Sequence, residues 1–212
     1  MVKIAALVLA AGRSSRFAAA GGREATKLVA PVAGKPLARY AVEAALASKA
    51  RPVVVVTGHA REAVEAALSG LAFQSVDNPA FISGLASSLR AGIAALPPEA
   101  AGAIVLLADM PAVTSALIDR LIAAFVARPD ALAATPVGAG RRGNPVLLSA
   151  ALFPSIAKLE GDEGARRLLA ALPAERLTEV LVDDLGATLD VDTPDALAVA
   201  EGALQFEPGV DH

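Results

Sequence analysis

Residues 9–16 combine small residues with two arginines in a pattern that suits phosphate binding. The stretch reads LAAGRSSR and directly follows an apolar run. Small residues after a strand let the backbone approach a ligand, and successive N–H groups there bind phosphate, although an ordinary strand-to-helix turn is the alternative. Arg13 and Arg16 would add charge-assisted hydrogen bonds to phosphate oxygens. Because the stretch has neither a Walker A ending nor a GxGxxG fingerprint, it is not a P-loop or a standard NAD site.

Asp109 is the first candidate for a metal ligand. It follows the apolar residues 103–107 and precedes Met-Pro, where a strand ends; a turn or helix-capping aspartate is the alternative. The chain has no cysteine and only two histidines, which excludes disulfides and thiolate ligands and disfavours a histidine zinc site. A metal here should therefore be a hard cation held by oxygen, Mg²⁺ or Mn²⁺.

The bulk composition predicts one α/β domain. The 212 residues are 55% hydrophobic, 19% charged and 3% aromatic, which suits helices packed on a Val- and Leu-rich sheet. A formal net charge of −3 gives no basic footprint for nucleic acid. The N-terminal apolar run is interpreted as a buried strand rather than a signal peptide, and no run approaches the roughly 20 residues that span a bilayer. We therefore expect a soluble, cytoplasmic protein with no nucleic-acid or membrane partner.

Strands and helices alternate along the first half. Strands are predicted at residues 4–9, 52–57, 73–76 and 103–107, and helices at residues 37–47, 61–68, 85–96 and from Thr114 or Ser115 to Val126. This rhythm indicates βαβ units and a mostly parallel sheet with helices on both faces. Such sheets bind ligands beyond the carboxyl ends of their strands, which is where residues 10–16 and Asp109 fall.

The second half is less regular. Residues 133–137 and 145–148 flank a polar loop, residues 138–144, that indicates a hairpin or a substrate loop. Further strands are predicted at residues 177–182 and 188–191. A helix is predicted at residues 194–202, with Thr193 as its cap and Pro194 in its first turn. Residues 205–212 are expected to fray.

A series of short motifs runs in order along nearly the whole chain. They are LAAGRSSR at 9–16, Lys27, Pro31, GKPL at 34–37, NP at 78–79, Gly84, SSL at 87–89, LADMP at 107–111, GNPV at 143–146, GDEGAR at 161–166 and DVDTP at 190–194. Together they resemble the MobA-like nucleotidyltransferases, and among these most of all the molybdenum cofactor cytidylyltransferases.

The resemblance implies one nucleotidyltransferase domain, residues 1–204, with a Rossmann-like, glycosyltransferase-A-like fold. Residues 1–115 would form mainly the nucleotide-binding half, and residues 116–204 mainly the acceptor-binding half. The implied reaction transfers CMP from CTP, with Mg²⁺ or Mn²⁺, to the terminal phosphate of molybdenum-carrying molybdopterin and releases pyrophosphate. A molybdoenzyme that receives the product is a further implied partner. Guanylyl-transferring relatives typically read LAGG where this chain has Ala11, which favours CTP.

The residues suit such chemistry without the family. A phosphomonoester oxygen is already an anion, so its attack on an α-phosphorus needs no general base. Catalysis then requires holding two anions together and stabilising charge on the leaving pyrophosphate. A metal with Arg and Lys can do this, which matches a chain whose only histidines are His59, expected to be structural, and His212.

The resemblance assigns the catalytic centre to four residues. Arg16 and Lys27 would bind the triphosphate, with Asp109 as a catalytic residue and metal ligand. Asp192 would be the second metal ligand. Asp190 stands two residues earlier, on the same face of an extended segment, and remains the alternative to Asp192.

The spacing between Arg16 and Lys27 departs from the family. Relatives usually have Met-Gly directly after the arginine, and the lysine follows a few residues later. Here the extra residues, within 17–26, are rich in Ala and Gly and are expected to form a mobile lid that still delivers Lys27. Arg23 is the alternative to Lys27.

The remaining candidates divide between the two substrates. The expected nucleotide-binding set is Leu9, Ala10, Ala11, Gly12, Arg13, Arg16, Lys27, Asn78, Gly84, Ser87 and Ser88. The alternatives are a turn residue for Asn78 and small packing residues for the two serines. The expected acceptor-binding set is Arg142, Gly143, Asn144, Asp162 and Arg166. A solvated turn or helix-end charge pairing is the alternative for these.

Other functions fit parts of the pattern. One is guanylyl transfer, or transfer to a sugar phosphate or polyol phosphate. Another is non-catalytic delivery of the molybdenum cofactor to a xanthine-dehydrogenase-like enzyme. Arg16, Asp109 and Asp192 argue against that, because a carrier needs no metal-held triphosphate. A nicotinamide-dependent oxidoreductase is disfavoured because the glycine fingerprint is missing.

Overall fold

A twisted sheet with helices on both faces forms the framework. The computed structural model describes residues 2–162, 165–182 and 189–205. The strands are β1 (Ile4–Ala10), β2 (Pro31–Val32), β3 (Lys35–Pro36), β4 (Val53–Thr57), β5 (Gln74–Asp77), β6 (Gly102–Leu107), β7 (Ala133–Gly138), β8 (Arg141–Arg142), β9 (Val146–Ser149) and β10 (Leu177–Leu181). The helices are α1 (Ser15–Ala19), α2 (Leu37–Ala47), α3 (Arg61–Ala67), α4 (Leu85–Ala94), α5 (Ser115–Val126), α6 (Phe153–Ile156), α7 (Arg166–Ala171) and α8 (Pro194–Gln205).

The large sheet is mostly parallel. Its strand order is β10-β7-β9-β6-β1-β4-β5, with β8 paired to β7, while β2 and β3 form a separate hairpin. β1 is parallel to both of its neighbours, β4 and β6, and β10 is parallel to β7. β9 runs antiparallel to β6 and β7. The predicted α/β class is therefore confirmed, and the predicted hairpin corresponds to β7 and β9.

Successive side chains of the central strands point alternately into two hydrophobic cores, one on each face of the sheet. All 7 residues of β1 are buried. Ala6 and Val8 belong to the core that α2, α3 and α5 cover. Leu7 and Leu9 belong to the core that α4, α6 and α7 cover. Because successive strand residues point to opposite faces, a fully apolar strand needs helices on both sides.

A third, smaller cluster attaches the C-terminal helix. Its members are buried apolar residues of the β2–β3 hairpin, α2 and the C-terminal segment: Val32, Leu37, Val191 and Ala200. Val191 N–H also donates to Asp109 O at 3.0 Å. Thr193 caps α8 as predicted, since its Oγ1 accepts a hydrogen bond from Ala196 N–H at 3.3 Å. These contacts bring residues 190–192 to the carboxyl end of β6.

The structure corrects some element predictions. The strand predicted at residues 188–191 is wrong for residues 189–191, which lie in no strand, although Val191 N–H donates to Asp109 O just beyond β6; Thr188 lies outside the described residues. The sequence did not predict α1, α6 or α7, whose 5, 4 and 6 residues are too few for a helical period. Gln205 ends α8, and residues 206–212 of the expected frayed tail lie outside the described residues.

Membrane-spanning helices were searched for in the same part of the chain. None of its helices combines the length and the apolar character that crossing a bilayer would need.

Replacing Leu37 by alanine should destabilise the junction between α2 and the C-terminal cluster. Leu37 is completely buried, and truncating such a leucine costs about 2–5 kcal/mol. Urea unfolding should show that loss. The control is Leu181→Ala, whose side chain is 77% exposed and which should change the free energy of unfolding by less than about 0.5 kcal/mol. Equal losses of unfolding free energy in the two variants would contradict the role of Leu37 in this junction.

Candidate active site

The carboxyl ends of β1 and β6 bring the two principal motifs together. The strands are adjacent and parallel, with Leu9 in register with Leu107. Just beyond them, Ala108 N–H donates to Leu9 O at 3.1 Å. The loop of residues 11–16 and Asp109 therefore leave the sheet side by side, at the edge where parallel sheets bind ligands.

Ser14 joins this loop to the segment that carries Lys27. Its backbone is left-handed, with φ 53°. Its Oγ lies 2.8 Å from Thr26 Oγ1 and accepts from Lys27 N–H at 3.1 Å. Thr26 is completely buried and caps the short 3-10 turn Lys27–Val29. Side-chain hydrogen bonds thus fix Lys27 relative to the small-residue loop.

Two carboxylates and two cations meet in front of this edge. Lys27 Nζ is 2.6 Å from Asp109 Oδ2 and 2.7 Å from Asp192 Oδ1. Arg16 Nη1 pairs with the second carboxylate oxygen of Asp192, Oδ2. The four residues come from α1, the 3-10 turn, the end of β6 and the segment before α8, so only the folded chain assembles them.

The surroundings determine how these groups are charged. Burial acts to lower the pKa of Lys27, but the attraction of Asp109 and Asp192 outweighs it, and its pKa lies above the ordinary value. Burial acts to raise the pKa of Asp192, but Lys27 and Arg16 outweigh it, and that pKa lies below its ordinary value. At neutral pH the centre therefore holds an ammonium group against a carboxylate.

Asp109 keeps one oxygen available for a ligand. Its Oδ1 is buried and has no hydrogen-bond partner among the described residues, which is costly for a polar atom unless something binds there. Within the same residues, no group of three or more His, Asp or Glu converges on a metal position. Mg²⁺ is commonly held by one or two carboxylates and completed by substrate phosphates and water. Asp109 and Asp192 fit that partial set of donors.

A cavity of about 480 Å³ opens onto the charged centre. Most of the predicted nucleotide and metal residues line it: Leu9, Ala11, Gly12, Arg13, Arg16, Lys27, Gly84, Ser88, Asp109 and Asp192. Asp190 also lines this cavity and is exposed. Because Asp192 is the one paired with Lys27 and Arg16, the geometry favours it over Asp190 as the second carboxylate.

Three residues of the predicted nucleotide-binding set are not among those that line this cavity. Ala10 is buried within β1. Asn78 Nδ2 donates to Ser87 Oγ at 2.8 Å and to Ser88 Oγ at 3.0 Å, and Asn78 Oδ1 accepts from Ala80 N–H at 3.1 Å. Asn78 and Ser87 thus form a buried link between the loop after β5 and the start of α4, and their assignment to the nucleotide stays a prediction.

Residues 17–26 are buried at their two ends, Phe17 and Thr26, and residues 18–21 and 23–25 between them are exposed. Phe17 is buried, and Gly22 sits so close to its ring that a Cβ there would lie 2.1 Å from Phe17 Cε1. His59 Nε2 lies 3.2 Å from Ala25 O. Arg23, the alternative to Lys27, is exposed. The segment delivers Lys27 to the carboxylates, as expected, and its role as a mobile lid stays a prediction.

A larger cavity of about 860 Å³ adjoins the first. All the predicted acceptor residues line it: Arg142, Gly143, Asn144, Asp162 and Arg166. The rest of its wall is mainly apolar, with contributions from Leu89, Val105, Val146 and Leu169. The two cavities share Leu9, Leu85, Leu107 and Asp162. The larger cavity thus combines an apolar floor with a rim of guanidinium groups.

Asp162 stands on the boundary between the cavities. Its Oδ1 accepts a hydrogen bond from Leu85 N–H, at the start of α4, at 3.2 Å. Gly161 O accepts from Ala86 N–H at 3.0 Å. Gly84 has φ 101°, and a Cβ there would lie 2.5 Å from the Gly161 backbone. The Asp162 carboxylate thus caps the start of α4, a contact that was not among its predicted roles, and Gly84 makes room for the loop that carries it.

Some residues of this site lie outside the predicted set. Ser14 and Thr26 were not singled out, and Ile82, which is 71% exposed, lines the smaller cavity. The only sequence signal for the first two is their place beside the predicted triphosphate ligands. No local pattern marks Ile82.

Comparison with known families agrees with this architecture. The family described as the MobA-like NTP transferase domain matches residues 6–177. The match begins in β1 and includes the small-residue loop, Lys27, Asp109 and Asp162. The chain therefore belongs to the MobA-like NTP transferase family.

Curated relatives match over different lengths. Purine catabolism protein PucB of Bacillus subtilis (strain 168) is 30% identical over 205 residues, which are 92% of this chain and 95% of that protein. Nicotine blue oxidoreductase of Paenarthrobacter nicotinovorans is 30% identical over 177 residues, 80% of this chain and 83% of that protein. The bifunctional protein GlmU of Anaeromyxobacter sp. (strain K) is 53% identical over 66 residues, 31% of this chain and 13% of that protein. The chain thus spans only a small part of that relative.

Solved structures resemble the whole chain. A nucleotidyl transferase from Methanothermobacter thermautotroptrophicus, Mth528, superposes with a TM-score of 0.82 at 26% identity and covers 97% of this chain and 99% of that one. Rv0371C of Mycobacterium tuberculosis H37Rv in complex with manganese gives a TM-score of 0.75 at 27% identity, with 95% and 99% covered. These likenesses confirm the nucleotidyltransferase fold.

Replacing Ser14 by alanine should weaken the connection between the loop and Lys27. The change removes a hydrogen-bond partner from buried Thr26 and from Lys27 N–H, which we expect to cost about 1–3 kcal/mol in free energy of unfolding. The neighbouring variant Ser15→Ala is the control, because Ser15 is exposed and should cost less than about 0.5 kcal/mol. Thermal or chemical unfolding of both variants decides; a Ser14→Ala protein as stable as the wild type would contradict this role.

Proposed function

We propose that this protein transfers CMP from CTP to the terminal phosphate of molybdenum-carrying molybdopterin and releases pyrophosphate. The observation that carries nucleotidyl transfer is the convergence of Asp109 and Asp192 on Lys27 at a cavity rimmed by the small-residue loop. That arrangement suits a triphosphate and a divalent ion. CTP and molybdopterin enter through the resemblance of the sequence to cytidylyltransferases.

The reaction needs no proton acceptor on the protein. An oxygen of the acceptor's phosphate forms a bond to the α-phosphorus, and the bond between that phosphorus and the bridging oxygen to the β-phosphate breaks. Negative charge then accumulates on the pyrophosphate. Arg16 and Lys27 line the smaller cavity and are placed to stabilise that charge, which is the main task in phosphoryl chemistry.

A Mg²⁺ or Mn²⁺ ion would supply charge neutralisation of the phosphates when bound. Asp109 and Asp192 would hold it, since Asp109 Oδ1 is a buried acceptor without a partner among the described residues and Asp192 stands beside it. The orphan oxygen supports this choice independently of the family. That a structural neighbour, Rv0371C, was solved in complex with manganese is in line with such an ion, and the place of the ion in this chain is a proposal.

The two cavities suggest a division of labour between the halves of the chain. The smaller cavity is formed mainly by residues 1–115, with Asp162, Asp190 and Asp192 added from the other half. The larger cavity takes its guanidinium groups from residues 116–204. We assign the first to the nucleotide and the second to the acceptor, whose phosphate the arginines would attract while the apolar floor accommodates its ring system.

Replacing Asp109 by asparagine should reduce pyrophosphate release at least about 100-fold, because the variant loses a charged metal ligand and the partner of Lys27. Pyrophosphate is measured with Mg²⁺, the molybdenum cofactor and CTP, at a temperature where circular dichroism shows the variant folded. Glu99→Gln is the control. Glu99 is exposed and pairs with Lys3 at the opposite end of the sheet, so this variant should keep wild-type turnover.

The same assay separates the alternatives. Turnover with GTP in place of CTP would move the proposal to guanylyl transfer, and turnover with a sugar phosphate would replace molybdopterin. Absence of nucleotide binding in the wild type would favour a delivery module. Near-normal release by Asp109→Asn would remove Asp109 from the mechanism.

Arg166 and Arg13 offer reciprocal tests of the two cavities. Arg166 lines only the larger of the two and Arg13 only the smaller. Arg166→Ala should raise the KM for the acceptor about 10-fold or more and leave the KM for CTP unchanged, because a charge-assisted hydrogen bond contributes about 1.5–3 kcal/mol. Arg13→Ala should raise the KM for CTP about 10-fold or more and leave the KM for the acceptor unchanged. Steady-state kinetics with each substrate varied would reject the assignment if both variants changed the same KM.

A further inference from the structure

Lys27 forms ion pairs with both carboxylates of the site. Its Nζ lies 2.6 Å from Asp109 Oδ2 and 2.7 Å from Asp192 Oδ1. The lysine side chain is only 11% exposed, so few water molecules can replace these contacts. One ammonium group therefore bridges both carboxylates, and Arg16 supplies a second positive charge at Asp192.

The oxygens that a metal would need are already engaged. Asp192 Oδ1 is paired with Lys27, and Asp192 Oδ2 is paired with Arg16. Asp109 has Oδ2 on Lys27, and only its Oδ1 is without a partner among the described residues. A divalent ion bound to both carboxylates at about 2.0–2.1 Å would stand within a few ångströms of the ammonium group. Repulsion between the two cations in a partly buried site disfavours that joint occupancy.

The Lys27 side chain has a second possible position within the smaller cavity. The backbone of Lys27 is fixed by its N–H donation to Ser14 Oγ at 3.1 Å, but its four-carbon stem can swing. Lys27 lines the same cavity as Gly12, Arg13 and Arg16. The phosphate oxygens of a triphosphate bound there could pair with the ammonium group. The metal ion would then bind the carboxylates that the lysine has left.

We propose that Lys27 is an internal competitor of the metal ion, which holds Asp109 and Asp192 together before substrates bind and moves to the triphosphate when metal and nucleotide arrive. The inference rests on the proposed function, because it takes these carboxylates as the metal ligands. Its consequence is reciprocal coupling: the triphosphate strengthens metal binding by removing the lysine, and the metal strengthens triphosphate binding by releasing it.

The decisive test is Mn²⁺ affinity without nucleotide, measured from the electron paramagnetic resonance signal of free Mn²⁺. Lys27→Met and Lys27→Gln remove the competing charge and should bind Mn²⁺ about 10-fold more tightly than the wild type, within the usual range of coupling between sites. Lys35→Met is the matched control. Lys35 is also ion-paired, with Glu43 Oε2 at 2.6 Å, but it does not line either cavity, so this variant should bind as the wild type does. Asp109→Asn should lose the site.

A second arm adds a CTP analogue with a methylene bridge between the α- and β-phosphorus atoms. The analogue should strengthen Mn²⁺ binding in the wild type and should do so much less in Lys27→Met, where no lysine remains to be displaced. Neutral variants that bind Mn²⁺ no more tightly than the wild type would overturn the proposal.

A measurement on the wild type covers the case in which neither variant folds. Reductive methylation followed by peptide mass spectrometry reports how accessible each lysine is. Addition of Mn²⁺ should increase methylation of Lys27 by driving it from the carboxylates, while Lys35 in the same molecule stays constant. An unchanged Lys27 under saturating Mn²⁺ would contradict the displacement.

Failure of this inference can be told apart from failure of the proposed function. If the neutral variants show no gain in Mn²⁺ affinity while the wild type releases pyrophosphate in an Asp109-dependent way, the competition is wrong and the activity stands. If the affinity gain appears but no triphosphate and acceptor pair turns over, the competition stands and the activity is wrong.

Discussion

The attraction between one ammonium group and two carboxylates is the contact around which the functional end of this fold is arranged. Lys27 reaches Asp109 beyond β6 and Asp192 before α8. Two carboxylates this close would repel each other strongly in a partly buried cleft, where charges interact more strongly than in water. A cation between them reverses the sign of that interaction. Because a divalent ion can supply the same neutralisation, a contact that holds the free protein together also defines the chemistry it can perform.

Other parts of the structure serve to place these three side chains. The parallel pairing of β1 with β6 puts the small-residue loop beside Asp109. Ser14 and Thr26 set the position of Lys27 by hydrogen bonds. Burial of Val191 against the β2–β3 hairpin and α2, with its hydrogen bond to Asp109 O, brings Asp192 to the site. Each anchor is apolar packing or a hydrogen bond made by backbone and hydroxyl groups, so the charged atoms are available to pair with one another at the cavity.

The sheet and most of its helices could be predicted from the sequence because their signals are local. Continuous apolar runs such as β1 and β4 are typical of strands covered on both faces, and a Thr at position 193 before Pro194 marks the start of α8. Asp109 could be located because the carboxyl ends of parallel strands form the binding edge. The short helices α6 and α7 escaped because they are too short to show a period.

The pairing of side chains could not be read in the same way. Asn78 has the sequence context of a turn or a ligand contact, and only the fold reveals that Ser87 and Ser88 use its amide. The extra residues between Arg16 and Lys27 predict a lid from composition alone, and the burial of Phe17 within them depends on neighbours that no local pattern identifies. Asp162 has a role that its motif predicts and a contact that only the fold reveals. The motif predicts acceptor binding, and the carboxylate caps α4 at the boundary of the two cavities.

The most direct test of the account is a crystal structure with Mn²⁺ and a non-hydrolysable CTP analogue, in which anomalous scattering locates the metal. The account predicts one Mn²⁺ peak within about 2–2.5 Å of carboxylate oxygens of both Asp109 and Asp192, with Lys27 turned to the phosphates. A metal held away from these carboxylates, or a triphosphate bound outside the cavity that Gly12 and Arg16 line, would contradict it.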